Sequence, residues 1–119
     1  MKKVILIDDD PINNFVNKKL IQRLFDEIEI IEFLDAASAL KYLEGNKPDF
    51  IFLDINMPEM NGWDFLKAYE KMAQQAPVII LTTSIDPSDR TRSETYSFVE
   101  GFFVKPLNMG ATQKVISKV

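Results

Sequence analysis

An α/β fold built on a parallel sheet is the fold class the sequence predicts, and three observations carry it. Short apolar runs alternate with segments of helical periodicity, which is the pattern of βαβ units. The runs Val4–Ile7 and Val78–Leu81 are apolar at every position, as expected of strands covered by helices on both faces of a sheet. Carboxylate, hydroxyl or ammonium side chains stand directly after these and other runs, at Asp8-Asp9-Asp10, Asp54, Thr82 and Lys105. Open sheets of this class bind ligands beyond the carboxyl ends of their strands, so the pattern places these residues together.

Residues 3–7 read as the first strand. Asp10-Pro11 then supplies an N-cap followed by proline at the first helical position. Ile12, Phe15, Val16, Leu20 and Leu24 recur at helical spacing through about Phe25. Ile28–Phe33 is a second strand. Asp35 can cap a second helix carrying Ala36, Ala39, Leu40 and Leu43, with Gly45 in the C′ position, where a left-handed residue is wanted. Phe50–Leu53 is the third strand, and about Gly62–Met72 the third helix. Val78–Leu81, with Pro77 at its mouth, is the fourth strand, and Asp86-Pro87 repeats the cap-plus-proline signal. The fourth helix is unusual, because Ser88 through Thr95 contains no apolar residue. Only Tyr96, Phe98 and Val99 near its end can pack, so its start should be weakly held. Phe102–Val104 is a fifth strand, and Ala111, Val115, Ile116 and Val119 mark a final helix.

Length and composition exclude much. A chain of 119 residues forms one domain with a single core. A net charge of −4 without a basic stripe argues against a nucleic-acid partner. No apolar stretch approaches the ~20 residues that cross a bilayer, and the start Met1-Lys2-Lys3 precedes an apolar run far shorter than a signal peptide's. A cytoplasmic location is therefore expected. The absence of cysteine removes disulfides, thiol nucleophiles and thiolate metal sites. The absence of histidine removes a Ser-His-Asp triad, a histidine-bound zinc and any phosphohistidine on this chain.

Each polar feature has an ordinary structural reading. Asp10 is a helix cap, Asp8 and Asp9 could form a solvated turn, and Asp54 could be a turn former. Thr82-Thr83-Ser84 could be a hydroxyl-rich loop, and Lys105-Pro106 a strand end with a proline turn, cis or trans. The joint arrangement carries the chemistry. Strands that end in carboxylate crowd negative charge at one sheet edge, and a divalent cation resolves the conflict, Mg²⁺ better than a softer metal. A carboxylate there can accept a phosphoryl group. Such transfer needs positioning and charge neutralisation more than acid–base work. On this reading Asp9 and Asp54 hold Mg²⁺, with Asp8 assisting through water. Lys105 neutralises the arriving oxygens, and the Thr82 hydroxyl donates to the phosphoryl group.

The motifs Ile7-Asp8-Asp9-Asp10, Leu53-Asp54-Ile55-Asn56-Met57-Pro58-Glu59-Met60-Asn61-Gly62, Leu81-Thr82-Thr83 and Phe103-Val104-Lys105-Pro106 occur in order and at suitable intervals. In these the chain resembles the receiver domain of two-component response regulators, from Met1 through Val119. The resemblance implies a flavodoxin-like five-stranded parallel sheet of order 2-1-3-4-5 with helices on both faces. It implies phosphorylation of Asp54, with Mg²⁺ served by Asp8, Asp9, Asp54 and the Asn56 backbone carbonyl. Thr82 becomes the switch hydroxyl and Lys105 the phosphate-contacting lysine. The donor is a phosphohistidine on a sensor histidine kinase or histidine phosphotransfer protein, and the output face is the fourth helix, fifth strand and fifth helix. That face includes Tyr96 and Phe102.

Two positions depart from the family pattern. Phe102 stands where tyrosine is frequent, so an aromatic switch there lacks a hydroxyl. Thr83 stands where a small residue is common, which narrows access to Asp54. Most members carry a following effector domain, so the chain is expected to be a stand-alone receiver or part of a longer protein. A haloacid-dehalogenase-like phosphatase is the rival enzyme reading, with Asp8-Asp9-Asp10 as its Asp-x-Asp signature and Thr82 and Lys105 as its later motifs. It lacks the late acidic pair, since no acidic residue follows Glu100. A third reading is a non-phosphorylated receiver-like module that works by surface contacts alone.

Overall fold

β1 (Lys2–Ile7), β2 (Ile28–Phe33), β3 (Phe50–Leu53), β4 (Val78–Thr82) and β5 (Val99–Val104) form one parallel sheet of order β2-β1-β3-β4-β5. The computed structural model describes residues 2–118. Val119, expected on the last helix, lies outside the described residues. The connecting helices are α1 (Pro11–Gln22), α2 (Ala36–Leu43), α3 (Gly62–Glu70), α4 (Pro87–Ser93) and α5 (Met109–Lys118). Among the described residues no helix is long and apolar enough to cross a membrane.

Side chains alternate across the pleat of each strand, so consecutive residues serve different cores. Ile5, Ile7, Ile51, Leu53 and Ile80 pack with Ala39, Phe65, Leu66 and Tyr69 of α2 and α3. Val4, Leu6, Phe52, Ile79 and Leu81 pack on the other face with Ile21 of α1 and Ile116 of α5. The central strands β1, β3 and β4 are thereby buried on both sides, which is why they read as unbroken apolar runs.

The predicted caps are in place. Asp10, Asp35 and Asp86 accept hydrogen bonds from the backbone N–H groups of Ile12, Ser38 and Ser88, starting α1, α2 and α4. Gly45 corrects an expectation, since no described glycine has positive φ. Its left-handed cap is unnecessary, because the Asn46 amide donates to the Tyr42 carbonyl at the end of α2. α4 is shorter than expected and stops at Ser93. Tyr96 and Phe98 follow it in a turn, and β5 begins at Val99 rather than Phe102.

α1 presents the unexpected face. Ile12 and Phe15 are 71% and 57% exposed, while Asn14 is 1% exposed. The helix inserts Asn14, Asn17 and Ile21 and turns part of its apolar stripe outward. Apolar periodicity ordinarily marks the buried face. Here the strand-end chemistry beneath α1 takes amides instead.

Candidate functional site

Sheet register builds the site. Ile7 and Leu53 are partners across β1 and β3, and the Ile7 carbonyl accepts from the Asp54 N–H at 2.9 Å, so Asp8 and Asp54 emerge side by side. On the far side, the Thr82 carbonyl accepts from the Lys105 N–H at 2.7 Å. Asp8 and Asp54 are buried and Asp9 is exposed. One carboxylate oxygen from each of these three lies within 4.8 Å of the others. Lys105 Nζ donates to Asp8 Oδ2 at 2.8 Å and stands 3.5 Å from Asp54 Oδ2. Asp8 Oδ1 accepts from the Asp10 N–H at 2.9 Å. Asp10 itself stays with the helix cap. The Lys105–Pro106 peptide is cis.

The electrostatics follow from this crowding. Burial is the main force on Asp54, raising it from 3.8 to about 6; Lys105 opposes this, Asp8 adds to it, and the Asn56 N–H lowers it. For Lys105, burial pulls downward. Its hydrogen bond to Asp8 and the charges of Asp54 and Asp8 together outweigh that, leaving it above its ordinary 10.5. Lysine stays charged and Asp54 is largely ionised at neutral pH. Three hard oxygen donors crowded together suit a small divalent cation such as Mg²⁺.

Opposite the acids lies the fully buried Thr82. Its Oγ1 accepts from the Ser84 N–H at 3.1 Å and from Asn56 Nδ2 at 3.3 Å. The Asn56 amide also reaches Thr83 Oγ1 at 3.3 Å, so one side chain ties the two loops that flank Asp54. The Asn56 backbone N–H donates to Asp54 Oδ1 at 3.2 Å.

Phe102 is not on an exposed partner face. Its register with Ile80 puts both side chains in the same core, where Phe102 is buried. The Arg90 guanidinium lies 5.2 Å from its ring centroid and donates to the Phe102 carbonyl at 3.2 Å. Tyr96 is half-buried against the same core.

The loop after Asp54 depends on Gly62. A Cβ there would stand 2.6 Å from Ile55 Cα and 2.9 Å from the Asp54 carbonyl oxygen, both backbone atoms that cannot swing aside. The Gly62 N–H donates to the Ile55 carbonyl at 2.8 Å, and Asn61 and Asp64 form a capping box that starts α3. Sequence reasoning missed Asn14, whose Nδ2 donates to the Asp8 carbonyl at 3.0 Å. The available signal was the spacing of Asn14, Asn17 and Ile21 along one side of α1.

The receiver-domain family model, described as "Response regulator receiver domain", matches residues 4–117. Among curated relatives, the sensory transduction protein LytT of Bacillus subtilis is 29% identical over 118 residues, 99% of this chain and 48% of its own length. Stress response regulator protein 1 of Meyerozyma guilliermondii is 30% identical over 109 residues, covering 89% of this chain and 50% of that protein. The chain thus spans about half the length of these curated relatives. A two-component response regulator from Cytophaga hutchinsonii superposes with TM-score 0.85 at 31% identity, covering 99% of this chain and 96% of the other. The chemotaxis response regulator CheY4 of Vibrio cholerae gives 0.82 at 28% identity, covering 99% and 98%. These matches do not favour the phosphatase or the inert module. With the acid cluster, lysine and threonine gathered at one edge of a 2-1-3-4-5 sheet, the chain belongs to the response regulator receiver domain family.

Proposed function

We propose that residues 1–119 form one phospho-accepting receiver domain, in which Asp54 takes a phosphoryl group from a phosphohistidine on a sensor histidine kinase or histidine phosphotransfer protein. One observation carries the reading: buried Asp54 lies 3.5 Å from Lys105 Nζ, inside a group of three carboxylates. An Asp54 oxygen attacks phosphorus and the P–N bond breaks. The imidazole departs neutral, its other nitrogen keeping a proton. Bound by Asp8, Asp9, Asp54 and the Asn56 carbonyl, Mg²⁺ would supply positive charge for the phosphoryl oxygens and the crowded carboxylates. Lys105 exchanges its carboxylate partners for a phosphoryl oxygen. The chain catalyses only its own phosphoryl transfer and dephosphorylation, in the cytoplasm.

Exposed apolar side chains beside the site favour an approach of the donor protein over α1. Ile12, Phe15 and Val16 face outward, and Val16 borders a groove of about 350 Å³ with Leu20, Lys105 and Leu107. For output, the Thr82 hydroxyl leaves the Asn56 amide and turns to the phosphoryl group, drawing residues 83–95 with it. Phe102 is already turned inward, so its inward swing is not part of this switch. The α4–β5–α5 face then differs between the two states.

Incubation with acetyl phosphate and Mg²⁺, followed by intact mass and peptide mapping, tests the acceptor. One phosphoryl group on the peptide carrying Asp54 is expected, and none on Asp54→Asn. A phosphoryl group on Asp8 would instead assign phosphatase-type chemistry.

A further inference from the structure

We infer that Asn14 is a positioning residue for the cation-binding carboxylates, acting through the backbone of Asp8; the inference rests on the receiver reading of the acid cluster. Asn14 touches neither the phosphoryl position nor Asp54 by any hydrogen bond. Its one side-chain hydrogen bond runs from Nδ2 to the Asp8 carbonyl, at 3.0 Å and fully buried.

Asp8 stands one residue past the end of β1, so its carbonyl has left the ladder between strands. A buried carbonyl without a donor is costly, and its peptide plane would turn to find one. That plane joins Asp8 to Asp9, so turning it changes ψ at Asp8 and φ at Asp9 and shifts the main chain from which both carboxylates leave. The carboxylate end is already held, by the Asp10 N–H on Oδ1 and by Lys105 on Oδ2. Asn14 fixes the other end, the main chain from which the carboxylate is aimed.

A second observation separates this role from packing. Asn14 Oδ1 is buried and has no partner among the described protein atoms. The same helix leaves Ile12, Phe15 and Val16 exposed, so apolar side chains were close at hand for the inner face. An amide with one half unpaired is a poor choice for stability alone. Its retained half is the donor that meets Asp8. Asn14 also borders a cavity of about 10 Å³ beneath the acids, shared with Asn17, Asp8 and Asp54.

Groups that orient metal ligands from behind change metal affinity by ~10–100-fold when removed. The test is calorimetric titration of the full chain with Mg²⁺, paired with the melting temperature of the metal-free protein. Asn14→Leu, nearly the same size without either polar atom, should weaken Mg²⁺ binding at least about tenfold. Ile21→Ala, on the same inner face, should lower the melting temperature and leave Mg²⁺ affinity within about twofold. Asn14→Ala serves as the less crowded second variant, with the same tenfold loss expected. Mg²⁺ affinity within about twofold of the natural chain in either Asn14 variant overturns the inference. So does failure of both to fold, which would make Asn14 a residue of the core. Absence of Mg²⁺ binding by the natural chain overturns the receiver reading itself and this inference with it.

Discussion

Two loops flank Asp54, and they are held by opposite means. The segment 55–61 buries Ile55 and Met57, closes through the Gly62 N–H on the Ile55 carbonyl, and feeds a capping box. It also holds Glu59 at φ 61°, a left-handed conformation that a non-glycine residue adopts only where its surroundings enforce it. The segment 83–93 has Ile85 at 85% exposure, and Ser93 is the one buried residue of α4. Its ties are side-chain bonds: Ser84 to Asp89, the Ser84 N–H to Thr82, and Arg90 to the Phe102 carbonyl. Close backbone contact fixes the first loop at one geometry. Side-chain bonds can be exchanged for others of similar strength, so the second loop has somewhere to go. Under the proposed function, Asp54, the nucleophile that must stay aimed, sits on the first side, and Thr82, the hydroxyl to be recruited, sits on the second.

The contrast is most exposed at Gly62. Because a Cβ would strike Ile55 Cα and the Asp54 carbonyl, Gly62→Ala must displace backbone next to Asp54. A loss on the order of 3 kcal/mol in urea unfolding is expected, at the upper end of the overpacking range. Gly45 is the control. A Cβ there meets nothing within 4 Å and φ is not positive, so Gly45→Ala should stabilise by about 0.5 kcal/mol. Equal effects at the two positions would remove the evidence that loop 55–61 is the rigid side.

Acidity probes the same side with a smaller effect. Burial raises Asp54 to about 6, so the folded metal-free chain holds this proton more tightly than an unfolded chain does, with its carboxyl near 3.8. The stabilisation is therefore full below about pH 4 and is lost as pH rises through 6, where a buried charge must form. Mg²⁺ requires that charge and competes with the proton. Affinity for Mg²⁺ should rise about tenfold between pH 5 and 7, about half of it on a logarithmic scale or more by pH 6, and level off above 7, a change of about 1.4 kcal/mol. In the metal-free state, the advantage of Asp54→Asn in melting temperature at pH 7 should shrink toward pH 5. A pH-independent difference between the two proteins would mean that Asp54 is solvated rather than buried.

What could be read in advance divides along physical lines. The change from apolar run to charged or hydroxyl residue happens within one position at Ile7–Asp8, Leu53–Asp54 and Leu81–Thr82, so strand ends and the site residues on them were legible. Parallel register then needs no further information to gather them. The face of α1 was not legible, because Ile12, Phe15 and Val16 obey helical spacing as well as Asn14, Asn17 and Ile21 do. Periodicity ranks the apolar set first, and only the buried Asp8 carbonyl makes an amide preferable. Gly45 misled for a related reason: a side chain two residues on, at Asn46 counted from Glu44, met the helix end that the glycine was expected to serve. Phe102 depends on β5 pairing with a shift near Val78 and Ile79, which no local pattern records.

The weak start of α4 was legible, but what holds the helix instead was not. Two arginines do so: Arg92 lies 4.5 Å from the Trp63 ring centroid, and Arg90 covers Phe102. Each such contact is worth about 0.5–1 kcal/mol at an exposed position, less than a buried leucine contributes. Arg92→Ala should therefore cost less than 1 kcal/mol overall, yet speed amide exchange across residues 87–93. Trp63 loses its cover at the same time, so its emission should shift to longer wavelength. Protection in residues 55–62 should stay unchanged, since none of the bonds that close that loop passes through Arg92. Faster exchange in both segments would mean that α4 and the Asp54 loop open as one unit, and the phosphoryl group could not then move one side while the other stays aimed.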